Sequence, residues 1–79
     1  MHYVYLIQSE VTPERYYCGL TDNVQARLTQ HNAGKSIHTA KFRPWKLTTY
    51  LAFTDKSKAV AFELYLKTGS GRAFAQKRL

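Results

Sequence analysis

The sequence predicts an α+β fold: a three-stranded antiparallel sheet flanked by helices, in the order ββαβαα. Two short runs rich in β-branched and aromatic residues, HYVYLIQS and YYCGL, stand close together near the start and predict a hairpin. A third such run, WKLTTYLAF, follows one helical segment and precedes two more. This order favours an antiparallel sheet covered by helices. We expect residues 1–79 to form one domain, because no repeat, linker or low-complexity tract divides them.

The first predicted strand alternates large side chains between two faces. Tyr3, Tyr5 and Ile7 share one face, and Val4 and Leu6 share the other.

The first predicted helix carries two polar residues on its apolar side. At about 100° per residue, Val24, Arg27, Leu28 and His31 fall on one side of the segment TDNVQARLTQH. A cation and an imidazole are unusual on the side that faces a core. Arg27 and His31 are therefore candidate functional residues.

Capping chemistry predicts where the helices begin and end. The predicted N-caps are Asp22, with Gln25 as its capping-box partner, and Asp55 or Ser57, and the predicted stops are Gly34 and Gly69. The segment KSIHTAKFRP has no consistent period and predicts a basic loop, and SGRAFAQKRL predicts a short terminal helix.

The charge of the chain indicates a polyanionic partner. Twelve Lys and Arg against five Asp and Glu give a net charge of +7. The basic residues are concentrated in two segments that contain no acid, Lys35 to Lys46 and Lys67 to the end. The residues expected to contact nucleic acid are Lys35, His38, Lys41, Arg43, Lys46, Lys67 and Arg72.

Three further residues, His38, Phe42 and Trp45, lie near these basic groups. His38 either contacts phosphate or is a solvated loop histidine. Phe42 and Trp45 are candidates for stacking on bases, but Trp45 opens a predicted strand and is expected to belong to the core.

Cysteine content and the N-terminus bear on the compartment. The single cysteine, Cys18, excludes an intrachain disulfide, and a buried inert thiol is its favoured interpretation. The N-terminal apolar run is too short and too polar for a signal peptide or a membrane span. We expect a cytoplasmic protein without membrane association.

One carboxylate, Glu63, is placed among apolar residues of the second long helix. It is the only acid after Asp55, and its neighbours on the helical wheel include Ala59 and Val60. A buried carboxylate is costly unless it is paired or metal-bound. Two interpretations stand equally: a salt bridge with Arg27, or a functional site.

The polar residues found among apolar ones suit phosphodiester hydrolysis. Arginine neutralises charge on phosphoryl oxygens, and one carboxylate holds Mg²⁺ whose other ligands are water and phosphate. A tyrosine near a metal and cations can accept a proton from water. Core packing is the alternative interpretation of the tyrosines Tyr3, Tyr5, Tyr16 and Tyr17.

Several of these segments resemble the GIY-YIG nuclease family. The tripeptides YVY at 3–5 and YCG at 17–19 look like its paired signature. GLTDNVQARLTQHNAGK is similar to the first helix of the family, and FELYLKTGSGR resembles the segment that carries its metal-binding glutamate. The resemblance covers essentially the whole chain and implies a small stand-alone bacterial member of the family.

The resemblance implies a role for each matching residue. Tyr5 would be the general base toward the attacking water, and Tyr17 would bond to the phosphate or the water network. Arg27 would stabilise the transition state, and His31 would assist proton removal from Tyr5. Glu63 would bind the divalent metal, Mg²⁺ or Mn²⁺.

The chain departs from the family pattern at three places. Tyr3 stands in place of the first glycine and Cys18 in place of the isoleucine, where we expect little consequence. Many members also carry an asparagine about a dozen residues beyond the glutamate, and Ala75 lies in that region here. Weak activity, or substitution by Ser70 or Lys67, is the expected result.

Three classes of function follow. The first is a metal-dependent DNA endonuclease, with RNA as an open alternative and with specificity from DNA shape, a protein partner or a homodimer. The second is a nucleic-acid-binding module whose catalysis is weak or lost. The third, an adaptor for another protein, would need exposed apolar surface that the sequence does not indicate.

Overall fold

The computed structural model describes residues 1–79 and confirms the predicted fold class and element order. Three strands and three α-helices are joined with one 3₁₀ turn at Ala40–Phe42. The elements are β1 His2–Ser9, β2 Tyr16–Thr21, α1 Val24–Asn32, β3 Trp45–Phe53, α2 Lys56–Leu66 and α3 Gly69–Arg78. None of the helices has the length and apolarity that crossing a membrane requires.

The sheet has the order β2-β1-β3, and both pairs of strands are antiparallel. β1 is therefore the central strand, and its residues Val4 to Ile7 are all buried. Opposite Tyr5 stand Gly19 of β2 and Tyr50 of β3. β2 is an edge strand, so its outer edge is not paired with another strand.

The two faces of the sheet bury separate clusters. On one face, Val4 and Leu6 pack with Ala59 and Leu66 of α2. On the other face, Tyr5 and Ile7 pack with Trp45, against apolar residues of α1, β2 and β3. The alternation predicted for the first strand is confirmed, and so is the core position of Trp45.

The helix boundaries correct two predictions. Asn23, not Asp22, is the N-cap of α1, because its side-chain oxygen accepts from the backbone N–H of Ala26 at 3.0 Å. Gly69 does not end α2, which stops at Leu66, but is the first residue of α3. The stop at Gly34 is confirmed, since it follows α1 with a φ of 78° that favours glycine.

The predicted cap of α2 is also settled. Asp55 is the N-cap, and its carboxylate accepts from the backbone N–H and the hydroxyl of Ser57. These hydrogen bonds hold the pKa of Asp55 below its ordinary value.

The segment predicted as a basic loop is more ordered than a loop of that composition suggests. It contains the 3₁₀ turn, and the hydroxyl of Ser9 donates to the Phe42 carbonyl at 2.7 Å. Trp45 begins β3 with its backbone N–H donating to the side chain of Asn32, whose amide donates back to the Trp45 carbonyl. These bonds attach the segment to both β1 and α1.

Candidate active site

Gly19 allows Tyr5 to lie across β2. The two residues face each other in the β1–β2 pair, and a Cβ at Gly19 would stand 2.5 Å from the Tyr5 hydroxyl oxygen. The missing side chain is therefore the space that the Tyr5 ring occupies. This explains physically why the second signature tripeptide ends in glycine.

His31 and Tyr5 are joined by a buried hydrogen bond. The Tyr5 hydroxyl oxygen lies 2.8 Å from His31 Nε2, and His31 is fully buried. Four residues of α1 are buried or half-buried. They are the four that were predicted to share one side of the helix: Val24, Arg27, Leu28 and His31. The helix side with a cation and an imidazole thus faces Tyr5.

Burial sets the ionisation of both groups in this bond. It raises the pKa of Tyr5 above the ordinary value of 10.0, and the neighbouring Arg27 guanidinium opposes part of that rise. Burial, assisted by the positive charge of Arg27, also lowers the pKa of His31 below 6.5. At neutral pH the site therefore contains a neutral imidazole beside a protonated tyrosine.

Tyr17 completes an aromatic group on the same face. Its ring centroid lies 5.2 Å from that of His31, edge-on, and 6.5 Å from that of Tyr5. Because Tyr17 belongs to the edge strand and is only half-buried, it forms the outer wall of the site.

Arg27 is not paired with an acid. Its Nη1 donates to the side-chain oxygen of Gln30 at 2.8 Å, one turn along α1. The predicted alternative of a salt bridge between Glu63 and Arg27 is wrong, because the only ion pair in the chain joins Glu63 to Lys67. The charge of Arg27 is thus available to an anion.

Glu63 lies on α2, which packs on the opposite face of the sheet from Tyr5. Lys67 connects the two faces: its Nζ is 2.6 Å from Glu63 Oε2 and 5.9 Å from the centroid of the Tyr17 ring. The Glu63 side chain is 13% exposed and that of Lys67 is 47% exposed. The hydrogen bond to the Glu63 carboxylate raises the pKa of Lys67, so Lys67 stays protonated at neutral pH.

The donor set fits a magnesium-type ion that is shared with a phosphate. No cluster of three or more His, Cys, Asp or Glu side chains occurs in the chain, so a site built from protein ligands alone is excluded. Mg²⁺ is commonly held by one or two carboxylates, with water and phosphate oxygens as its other ligands. Glu63, a single carboxylate whose side chain is 13% exposed, meets that requirement.

The predicted nucleic-acid contacts are all exposed, but they lie in two places. Lys67 and Arg72 line a cavity of about 820 Å³ that also includes Tyr17 and Arg15. The others stand on or beside the segment between α1 and β3: Lys35, His38, Lys41, Arg43 and Lys46. Arg43 is partly engaged, since its Nε donates to the Ala40 carbonyl at 2.8 Å.

Phe42, a candidate for stacking on bases, is half-buried against the core. It packs against the cluster around Tyr5, and the guanidinium of Arg15 stands 4.8 Å from its ring centroid.

Cys18 is also half-buried on its strand, and burial raises the pKa of its thiol, which favours the inert interpretation.

Two further positions bear on the chemistry. Ala75 packs against the apolar cluster on the α2 face and supplies no polar group of its own. Thr39 was not predicted as a site residue: it is fully buried, and its Oγ1 lies 2.6 Å from His31 Nδ1. The segment around it has no periodicity, so no local signal could have found it.

Comparison with protein families identifies one that spans almost the whole chain. The family model described as the GIY-YIG catalytic domain matches residues 1–77. That range contains every residue of the site described above.

Similar proteins fall into two groups. A UPF0213 protein of Staphylococcus haemolyticus is 40% identical over 70 residues, which are 87% of this chain and 83% of that protein. A UPF0213 protein of Halobacterium salinarum is 38% identical over 85% of this chain and 86% of its own length. The structure-specific endonuclease subunit SLX1 of Scheffersomyces stipitis is 43% identical over 67 residues, which are 76% of this chain and 20% of that protein. The chain thus matches about a fifth of the SLX1 protein.

Proposed function

Because the chain belongs to the GIY-YIG catalytic domain family, we propose that it is an endonuclease that hydrolyses phosphodiester bonds of DNA with a divalent metal. The observation that carries the proposal is the arrangement at the β2 edge. Tyr5, Tyr17, His31 and Arg27 meet on one face, and Glu63 reaches the same edge from the other. The SLX1 relative, named as an endonuclease, supports the same activity.

Tyr5 is the proposed general base. Its hydroxyl oxygen lies 2.8 Å from His31 Nε2, a contact that fixes the position of the oxygen in the site. In the tyrosinate form this oxygen accepts a proton from the attacking water. Arg27, which opposes the rise of the Tyr5 pKa, favours that form.

Arg27 has a second proposed role, stabilisation of the charge that develops on the phosphoryl oxygens. Its guanidinium has no carboxylate partner, so the positive charge is not neutralised before substrate binds. Tyr17, at the outer wall, is proposed to bond to the phosphate or to water beside it.

Glu63 is the proposed metal ligand, for Mg²⁺ or Mn²⁺. When bound, such an ion polarises the phosphoryl oxygen and lowers the pKa of a coordinated water. Lys67 is ion-paired with the Glu63 carboxylate, so a metal would displace Lys67, whose side chain is 47% exposed and can turn toward solvent.

The exposed basic residues are proposed to contact the phosphates of the DNA backbone. The net charge of +7 supports binding that depends on salt more than on sequence. The segment between α1 and β3 approaches one side of the site, and the cavity lined by Lys67 and Arg72 the other.

A protein partner that supplies specificity is also proposed. Contrary to the sequence expectation, the helices leave large apolar side chains exposed, among them Leu64, Tyr65 and Phe74. The SLX1 relative is named a subunit, which supports an assembly for this family.

A binding module with weak catalysis is the second candidate. Two observations favour it: Ala75 lies in the region of the family asparagine, and the Glu63 carboxylate is already paired with Lys67. Under this alternative the chain binds DNA with the same salt dependence but does not cut it.

A cleavage assay separates the two candidates. The protein is incubated with end-labelled single-stranded, duplex, flap and branched DNA, in Mg²⁺, Mn²⁺ or EDTA, beside an Arg27→Ala variant purified identically. We expect metal-dependent cleavage of at least one substrate by the wild type and none by the variant. Binding of all substrates without cleavage would support the second candidate instead.

A further inference from the structure

Thr39 adds a third buried group to the pair formed by Tyr5 and His31. Its hydroxyl has one partner in the protein, His31 Nδ1, at 2.6 Å. The other ring nitrogen, Nε2, faces the Tyr5 hydroxyl at 2.8 Å. Tyr5, His31 and Thr39 therefore form a continuous chain of two hydrogen bonds.

Backbone contacts fix the position of Thr39. Its carbonyl accepts from the indole N–H of Trp45 at 2.8 Å and from the backbone N–H of Phe42 at 3.1 Å. Its own N–H donates to the Ser36 carbonyl at 3.2 Å. Thr39 and His31 are both fully buried, so the two side chains have no contact with solvent in this arrangement.

When all three side chains are neutral, Tyr5, His31 and Thr39 each carry one proton that can be donated. Only two hydrogen bonds join them, so one of the three protons is not used in these bonds. In one direction, Tyr5 donates to Nε2 and Nδ1–H donates to Thr39, which leaves the Thr39 hydroxyl proton without an acceptor. In the other direction, Thr39 donates to Nδ1 and Nε2–H donates to the Tyr5 oxygen, which leaves the proton of Tyr5 unused.

The two directions differ in where the surplus proton lies. At Thr39 it would be enclosed by protein with no acceptor, which is strongly unfavourable, whereas unfilled lone pairs on an oxygen are tolerated better. At Tyr5 it lies beside Tyr17, which is half-buried on the edge strand, so this end of the hydrogen-bonded chain is nearer to solvent than Thr39 is.

We propose that Thr39 is a positioning residue that holds His31 in the Nε2–H tautomer, so that His31 donates its hydrogen bond to the Tyr5 oxygen. His31 then assists Tyr5 by stabilising negative charge on that oxygen, together with Arg27, and does not take the Tyr5 proton. That proton leaves to water, which becomes hydronium as the tyrosinate forms. The catalytic consequence rests on the proposed function, but the tautomer does not.

The tautomer is measured directly by long-range ¹H–¹⁵N NMR correlation of the ¹⁵N-labelled full chain at pH 7.5, without DNA or metal. The expected spectrum for His31 shows a protonated Nε2 and a bare Nδ1. A protonated Nδ1 in the wild type would overturn the proposal, whatever the nuclease assay shows.

Two variants of Thr39 provide matched controls. Thr39→Ser keeps the hydroxyl and is expected to retain both the tautomer and the cleavage rate. Thr39→Val keeps the shape, removes the hydroxyl, and is expected to lose the single tautomer and about tenfold in single-turnover rate.

The spectra and the rates together separate this proposal from the proposed function. A slower Thr39→Val protein with an unchanged His31 tautomer would make the role of Thr39 merely structural and would contradict the proposal. If Thr39→Val does not fold, the wild-type and Thr39→Ser spectra still show which tautomer His31 adopts and so still test the proposal. If no DNA is cut by any variant, the proposed function fails while the tautomer result stands.

Discussion

The two faces of the sheet are built from consecutive residues of the same strand, yet they bury different chemistry. Beneath α2, Val4 and Leu6 pack against Ala59 and Leu66, a cluster without polar side chains. On the α1 face, buried polar groups are present, and each has a partner: no buried side-chain nitrogen or oxygen in the chain lacks a hydrogen bond.

This difference separates stability from chemistry. Apolar packing is not directional, so removing volume beneath α2 costs free energy of unfolding but leaves the reactive geometry in place. Hydrogen bonds between Tyr5, His31 and Thr39 are directional, so small chemical changes there alter the site while costing less stability. Variants on each face and on the exposed surface test this division.

The largest effect is expected from Glu63→Gln, which removes the proposed metal ligand and keeps the side-chain volume. Cleavage should fall below detection while DNA affinity stays close to that of the wild type. The pair with Lys67 is partly exposed, and its removal should cost only about 0–1 kcal/mol of stability.

Calorimetry and filter binding on the Glu63→Gln protein provide the controls. A protein that cuts normally would show that Glu63 holds no essential metal. A protein that unfolds would instead give the carboxylate a structural role.

On the apolar face, Leu66→Ala should destabilise the fold by about 2–5 kcal/mol, because Leu66 is only 4% exposed. Leu64→Ala on the same helix is the matched control and should have little effect, since Leu64 is 58% exposed. Urea denaturation measures both. The single-turnover rate per folded molecule should be unchanged, and a rate that falls with stability would break the division between the faces.

The α1 face of the sheet, which we call the polar face because it buries polar groups such as His31, should make the free energy of unfolding depend on pH. Because burial lowers the pKa of His31 below 6.5, the unfolded chain binds a proton that the folded chain excludes. Stability is therefore full above pH 6.5 and falls as the pH decreases from there, by at most about 1.4 kcal/mol per pH unit.

Melting temperatures of the wild type and His31→Gln between pH 7.5 and 5 check this dependence. His31→Gln retains His2 and His38, so the difference between the two curves isolates His31. Parallel curves would show that His31 is not held in its neutral form.

Exposed basic residues should contribute least to stability and to the geometry of the site. Replacing Lys41 and Arg43 with alanine should leave melting nearly unchanged and weaken DNA binding at every sequence. On duplex DNA, the slope of log K against log salt should flatten by about 0.9 for each phosphate that the variant no longer neutralises. An unchanged slope would show that Lys41 and Arg43 do not contact DNA phosphates.

Much of the fold could be predicted because its signals are local. The period-2 pattern of β1 and the 3.6-residue pattern of α1 follow from which residues are apolar, and both match the structure. The predicted cap of α1 is wrong by one residue because Asp22 and Asn23 are both good N-caps. Sequence alone does not show which of the two adopts the capping geometry.

The site was only partly predictable, because some of its contacts join distant segments. Arg27 and His31 are recognisable because they interrupt an apolar stripe, which is a local anomaly. Thr39 interrupts nothing, and its burial depends on how α1 and β3 meet around Trp45. The pair of Glu63 and Lys67 is one helical turn apart, a spacing that permits an ion pair without showing that it forms in preference to one with Arg27.

The central claim is that the hydroxyl of Tyr5, on the polar face, does the proton transfer. Single-turnover cleavage by Tyr5→Phe tests it most directly, because the change keeps the ring and removes only the oxygen 2.8 Å from His31. Tyr17→Phe is the control, and both are assayed well below their melting temperatures. We predict a loss of roughly 10²- to 10⁴-fold for Tyr5→Phe and a milder loss for Tyr17→Phe. Cleavage by Tyr5→Phe at the wild-type rate would contradict the claim.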